Sequence, residues 1–250
     1  TNLRQFFSGN GPTAFFDAPW MPVYLAVLFL VHPLFGWLTL GGALIVIAGI
    51  TIRCILRERP PVVNLYETIP FITAFAVLLA LVVESLNRER IALALAPAFG
   101  AIGLFVTARY EDISPGDTLR PLVAVLDTNF WLTTHVIAIA IGYSVSLLCG
   151  AIGHVQVLGT VFGLKRGDPG FYGSLTRMLY GTLAFGLIFS VIGTILGGIW
   201  ANESWGRFWG WDPKEVWALI ALLGYLAVLH ARYIGWAGNL GLAALSVLCF

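Results

Sequence analysis

Residues 131–162 read WLTTHVIAIAIGYSVSLLCGAIGHVQVLGTVF, an apolar run that holds no Asp, Glu, Lys or Arg. About 20 apolar helical residues suffice to cross a bilayer, so this stretch is a membrane span long enough to tilt or to project beyond the lipid. Further apolar runs flank it on both sides. Towards the N-terminus they are Leu34 to Ile52, Thr68 to Val83 and Ile91 to Ala108, each end approximate. A short apolar piece from Val23 precedes the first, broken from it at His32-Pro33 because the residue before a proline is pushed out of the helical region. Towards the C-terminus come Leu179 to Ile199 and Val216 to Leu229, the latter extended by its flanks. A seventh run begins near Leu240 and stops short of a full span. Arg109 to Asn129 is a polar connection, and no internal repeat or low-complexity linker is visible.

Composition agrees. Of 250 residues, 58% are hydrophobic and 11% charged, with mean hydropathy +0.86, where a soluble domain carries roughly 45–50% apolar and about 25% charged residues. That charge is too sparse to coat a water-facing surface. In lipid only helices and closed barrels satisfy the backbone, so the expected fold is all-α: a polytopic transmembrane bundle of six complete spans and a truncated seventh, forming one domain over residues 1–250. A net charge of +1 argues against nucleic acid as a partner, since phosphate binding needs a clustered basic surface. Cys54, Cys149 and Cys249 form no CxxC, so neither a disulfide framework nor a dithiol redox site is expected. The chain starts at Thr1 without a signal segment and ends in the short apolar run GLAALSVLCF. Both ends read as cut.

Positive charge in short loops sets orientation. Lys165, Arg166 and Arg177 between spans four and five, Arg232 after span six, and Arg88 and Arg90 between spans two and three are expected on the cytoplasmic side. Arg53, Arg57 and Arg59 oppose that parity, which leaves the first span the least determined. Residues 200–217, with Asp127 to Phe130, then face the opposite side.

Those residues, Trp200-Ala-Asn-Glu-Ser-Trp205-Gly-Arg-Phe-Trp209-Gly-Trp211-Asp212-Pro-Lys-Glu215-Val-Trp217, hold five of the nine tryptophans. Tryptophan also gathers in membrane-interface belts, and a belt is the general reading of such a segment. Three features favour a binding surface. Gly and Trp together make a flat face close to the backbone. Asp212, Pro213 and Glu215 fill the N-cap, N1 and N3 positions of a helix start, which would fix where the tryptophans point. Arg207 and Lys214 set cations beside the aromatic surface. The combination suits a planar apolar ligand with carboxylate tails, such as haem.

The run WANESWGRFWGWDPKEVWALI resembles the tryptophan-rich WWD signature of haem-handling membrane proteins in cytochrome c biogenesis. RPPVVNLYE at 59–67 and LDTNFWLTTHV at 126–136 make the chain most similar, among WWD proteins, to the CcsA family of System II, which is fused to CcsB in some bacteria. CcmC and CcmF share the signature but are not expected to share both supporting stretches. The likeness runs from about His32 onward.

The resemblance implies a bacterial inner-membrane or plastid thylakoid protein with an extracytoplasmic WWD loop. It implies that haem b crosses the membrane and is presented there to the CxxCH segment of apocytochrome c, as part of a holocytochrome c synthase with CcsB as partner. Trp205, Gly206, Trp209, Trp211 and Asp212 would form the haem-binding surface. His135, just inside span four at its outer end, would ligate the external iron, and His230, near the cytoplasmic end of span six, would receive haem from the inner side. The family pattern pairs the first external histidine with a second after the seventh span, beyond the last residue of this chain. The chain has no CxxCH and so carries no covalent haem itself. His154 and His32 read as structural residues. Two other readings are a b-type haem anchor for electron transfer, using His154 and His230 at matching depth, and a solute transporter, for which Glu84 is the nearest approach to an intramembrane acid.

Overall fold

The computed structural model describes residues 34–58, 60–113, 130–165 and 168–249. His32 and Asp127 lie outside them. Seven helices follow in chain order: α1 Leu34–Arg57, α2 Leu65–Asn87, α3 Ile91–Ile113, α4 Phe130–Phe162, α5 Pro169–Trp205, α6 Pro213–Tyr233 and α7 Asn239–Cys249. The described residues contain six helices long and apolar enough to cross a membrane, with α7 shorter. At about 1.5 Å per residue, the 33 residues of α4 and 37 of α5 reach about 50 Å and 55 Å. Both outrun a hydrocarbon core of about 30 Å. The ends of these two helices therefore stand clear of the lipid, and the tryptophan segment is built on one such end.

Local chemistry sets the helix limits. Asn64 caps α2 by accepting from the Glu67 backbone N–H, and Asp168 caps α5 by accepting from Phe171, with Pro169 opening the helix. The α5 helix begins ten residues before Leu179 and ends at Trp205, past Ile199. Hydropathy marks only the part of a helix that fits lipid; the polar Asn202, Glu203 and Ser204 extend the helix until Gly206, at φ 69°, stops it in the left-handed region. About a third of the segment expected to be loop is consequently the last turn of α5, and the connection proper is 206–212.

Leu148, Ile152, Leu175, Leu179 and Leu242, all fully buried, lie at the centre where α4, α5 and α7 meet. Large apolar side chains such as Trp37, Ile45, Leu86, Phe162 and Leu248 are exposed around the rim, as a lipid-facing surface requires. The α4–α5 contact is made close by small residues. A Cβ added at Gly186 would come within 3.0 Å of Val145, at Gly142 within 2.7 Å of Ser190, and at Gly193 within 2.9 Å of the Ile139 backbone. Small residues at this spacing let two membrane helices approach backbone to backbone. The antiparallel register they impose continues one step further, to Gly197 opposite His135.

Two charged residues that looked anomalous have partners. Arg53 reaches Glu67 at 3.0 Å and lies over the Tyr66 ring at 5.2 Å, and Glu67 is only 4% exposed. A guanidinium neutralised inside the fold weighs less in a charge count of the loops than a solvated one. Glu84 is buried and accepts from the backbone N–H groups of Arg90 and Leu93, so it closes the exposed N-terminus of α3.

Candidate functional site

His135 sits in the second turn of α4, and its Nδ1 lies 2.7 Å from the Gly193 carbonyl oxygen on α5. A carbonyl only accepts, so Nδ1 carries the proton and Nε2 keeps its lone pair. This is the arrangement in which a protein orients an imidazole for a metal: one nitrogen tied to a backbone carbonyl, the other basic and bare. The ring also stacks on the Trp200 indole, with centroids 6.3 Å apart and planes 8° from parallel. Gly197 makes room for it, since a Cβ there would stand 2.7 Å from Cε1 and 2.8 Å from Nδ1.

The connection between α5 and α6 is folded back over this histidine. The Phe208 ring closes onto Gly198, where any side chain would collide with it, and the Arg207 guanidinium occupies the space above Gly210 that a Cβ would need. Trp211 takes φ 57°, a left-handed conformation that non-glycine residues rarely adopt, and the turn is secured on both sides. Asp212 accepts from the N–H groups of Lys214 (2.8 Å) and Glu215 (2.9 Å), while Glu215 reaches back to those of Gly210 (2.7 Å) and Asp212 (3.3 Å). The capping box anticipated at Asp212–Glu215 is present, and its Glu215 oxygen also secures Gly210, which the motif alone does not imply. An N-cap of this kind is worth about 1 kcal/mol.

Between loop and helices lies a cleft of about 330 Å³, lined by His135, Ile139, Tyr143, Thr194, Trp200, Trp205, Phe208, Trp209, Asp212 and Lys214 among others. Of the residues singled out from sequence, His135, Trp205, Trp209 and Asp212 are brought together here. Gly206 forms the helix stop, and Trp211 stands outside the cleft, 70% exposed, edge-on to Trp209 with centroids 6.0 Å apart. His230 belongs to the other end of α6 and is exposed there. His154 is exposed on α4 and bonds the Gly150 carbonyl of its own helix at 2.7 Å. Sequence reasoning overlooked Trp200, Gly197 and Phe208 as parts of the site. The spacing Gly193-Thr-Ile-Leu-Gly197 is the one signal that could have pointed to the α4 contact.

Two of the residues that line the cleft carry a buried polar atom without a partner: among the described residues the indole N–H groups of Trp200 and Trp209 meet no acceptor. Trp200 packs edge-on against Trp205 at 4.6 Å, which holds its ring in place. A buried donor without an acceptor costs about 1–3 kcal/mol, and Lys214 adds an ammonium group to the same lining. The cleft offers a basic nitrogen, flat aromatic walls, two indole donors and an ammonium group.

These features define a polytopic helical membrane protein with a tryptophan-walled cleft at one end that holds one imidazole and one ammonium group. Residues 62–250 match the family of cytochrome C assembly proteins. The chain is 32% identical over 225 residues to the cytochrome c biogenesis protein CcsA of Synechococcus sp. (strain CC9902), covering 78% of this chain and 73% of the relative. It is 32% identical to that of Guillardia theta, over 80% of this chain and 75% of the relative. Against CcsA of Chlamydomonas reinhardtii the identity is 34%, over 72% of this chain and 52% of the relative. The chain belongs to the cytochrome c assembly family, alongside the CcsA proteins, and its role lies in cytochrome c maturation.

Proposed function

We propose that the chain binds haem b in the tryptophan cleft and presents it, on the extracytoplasmic face, for attachment to the CxxCH cysteines of apocytochrome c. The observation that carries this reading is the pairing of a bare His135 Nε2 with two buried indole N–H groups that lack acceptors. The residues fit the ligand's chemistry: imidazole for iron, indoles for the porphyrin face, and indole N–H with Lys214 for propionates. The cleft opens to the outside, so it would take one edge of the macrocycle and leave the other in reach of a partner. Haem supplies the vinyl groups to which the cysteine thiols add.

What this chain contributes is position. The oxygens of Asp212 and Glu215 are engaged as helix caps and do not serve as general bases. His135 is held in one tautomer by Gly193, and Phe208 and Trp209 form part of the cleft wall. CcsB is the proposed partner, in a bacterial inner membrane or a plastid thylakoid membrane. His230 is proposed as an inner ligand that receives haem before it crosses. It lies about 27 Å along α6 from Asp212, too far for one haem to serve both histidines.

Trp200→Phe and Trp209→Phe keep the aromatic walls and remove only the donors. Each is expected to weaken haem retention about tenfold, the size of one hydrogen bond to a charged group. Haem content and the optical spectrum of the purified protein are the readouts, and normal retention in both variants would remove the indole N–H groups from the binding chemistry. The orientation has its own test. A cysteine introduced at the exposed end of α5 in place of Ser204 should react with an impermeant thiol reagent added outside intact cells or spheroplasts. Labelling only after lysis would place the cleft on the cytoplasmic side and end the presentation reading.

A further inference from the structure

A second cleft, of about 420 Å³, opens at the opposite end of the bundle from the tryptophan loop. The start of α5 contributes Thr176, Arg177, Tyr180 and Gly181, and the end of α6 contributes Arg232 and Tyr233. Two guanidinium groups line it and no acidic residue does. Among the described residues neither arginine forms an ion pair; their bonds are to neutral groups. Arg177 donates to the Ser174 hydroxyl at 2.8 Å, and Arg232 to the Ala237 carbonyl at 3.0 Å and the Asn239 side-chain oxygen at 3.1 Å. These contacts hold each guanidinium in place without neutralising it. Gly181 leaves open space where a side chain would stand, since a Cβ there meets nothing within 4 Å. The tyrosines provide amphipathic walls of the kind that settle at a membrane–water boundary.

Two fixed, uncompensated guanidinium groups in a recess at a helix-bundle end are matched by an oxyanion, which arginine binds through paired N–H groups. The recess lies where spans leave the lipid, so the oxyanion would arrive on an amphipathic molecule whose apolar body stays in the bilayer. We infer that the Arg177–Arg232 cleft is a binding site for the anionic head of an amphipathic ligand. Two sources share this chemistry: the phosphate of an anionic phospholipid, and the carboxylates of a porphyrin entering from this side. Tyr233 is one helical turn beyond His230 on the same face of α6, which sets the proposed inner imidazole just deeper than the two cations. The porphyrin alternative rests on the haem function proposed above, whereas the phospholipid alternative does not.

The test uses Arg177→Gln, Arg232→Gln and the double variant of the full chain. Native mass spectrometry counts retained lipid in the presence of phosphatidylglycerol or phosphatidylcholine, and haem content is measured in a His135→Ala background, where the outer cleft has lost its ligand. A drop of about tenfold per guanidinium in phosphatidylglycerol retention, with phosphatidylcholine unchanged, identifies a phosphate site. Unchanged lipid with a matching drop in the remaining haem identifies a carboxylate site. Arg→Lys variants, which keep the charge and lose the paired geometry, are expected to fall between. If folded single variants retain both lipid and haem as the parent does, the inference is overturned. Because the lipid readout needs no haem, its result stands whether or not the outer cleft binds one.

Discussion

Replacing His135 by Gly is expected to abolish stable haem binding in the tryptophan cleft, and with it nearly all cytochrome c maturation. Among the described residues no second imidazole lines that cleft, so none of them replaces the lost ligand. Loss even of residues that merely orient a metal ligand costs about 10–100-fold, and loss of the ligand itself should exceed that range. The glycine leaves a vacancy bounded by Trp200 and Gly197. Imidazole added to the medium should enter it and restore much of the maturation, because a presented haem must be released and its axial bond must therefore exchange. An electron-transfer anchor would behave differently, holding a low-spin haem with no maturation defect to rescue. A variant that matures cytochrome c normally without imidazole would remove His135 from the site.

The second large effect is steric. Gly197→Ala adds one methyl group, and that methyl would stand 2.7 Å from the His135 ring. The ring cannot retreat freely, because Trp200 stacks against it and the Gly193 carbonyl holds Nδ1. Overpacking of this kind costs about 1–3 kcal/mol, and here it falls on the contact that aims Nε2. Thermal stability and haem content are both expected to drop, the latter at least about tenfold. Gly173→Ala, on the same helix, is the control. A Cβ at Gly173 meets nothing within 4 Å, and replacing a helical glycine by alanine favours the helix by about 1 kcal/mol, so that variant should be as stable as the parent or more so, with unchanged haem. Equal haem content in the two variants would show that Gly197 is only a packing residue.

The WWD segment illustrates how far local pattern carries. Asp212-Pro-Lys-Glu215 announces a helix start because capping depends on residues within four positions of each other, and the capping box is there. The tryptophans announce an aromatic surface for the same reason. Which of them face inward is a different matter. Trp209 and Trp205 line the cleft while Trp211 is turned out on a left-handed residue. Trp200, at the start of the quoted run, proves to be the indole stacked on His135.

Pattern along the chain identifies a membrane protein of the cytochrome c assembly family, with about seven apolar segments and a tryptophan-rich connection beside a histidine-bearing span. Those conclusions rest on composition, span length and short motifs, all of which are read along the chain. Helix packing is what ties His135 to Gly193, 58 residues away, and lets Gly197 clear its ring. It also decides that two indole N–H groups are left without acceptors and that Arg177 and Arg232 share a recess. Each of these depends on the register in which antiparallel helices pack. That register is set by small residues meeting across the α4–α5 interface, a property of the pair of helices that neither possesses alone.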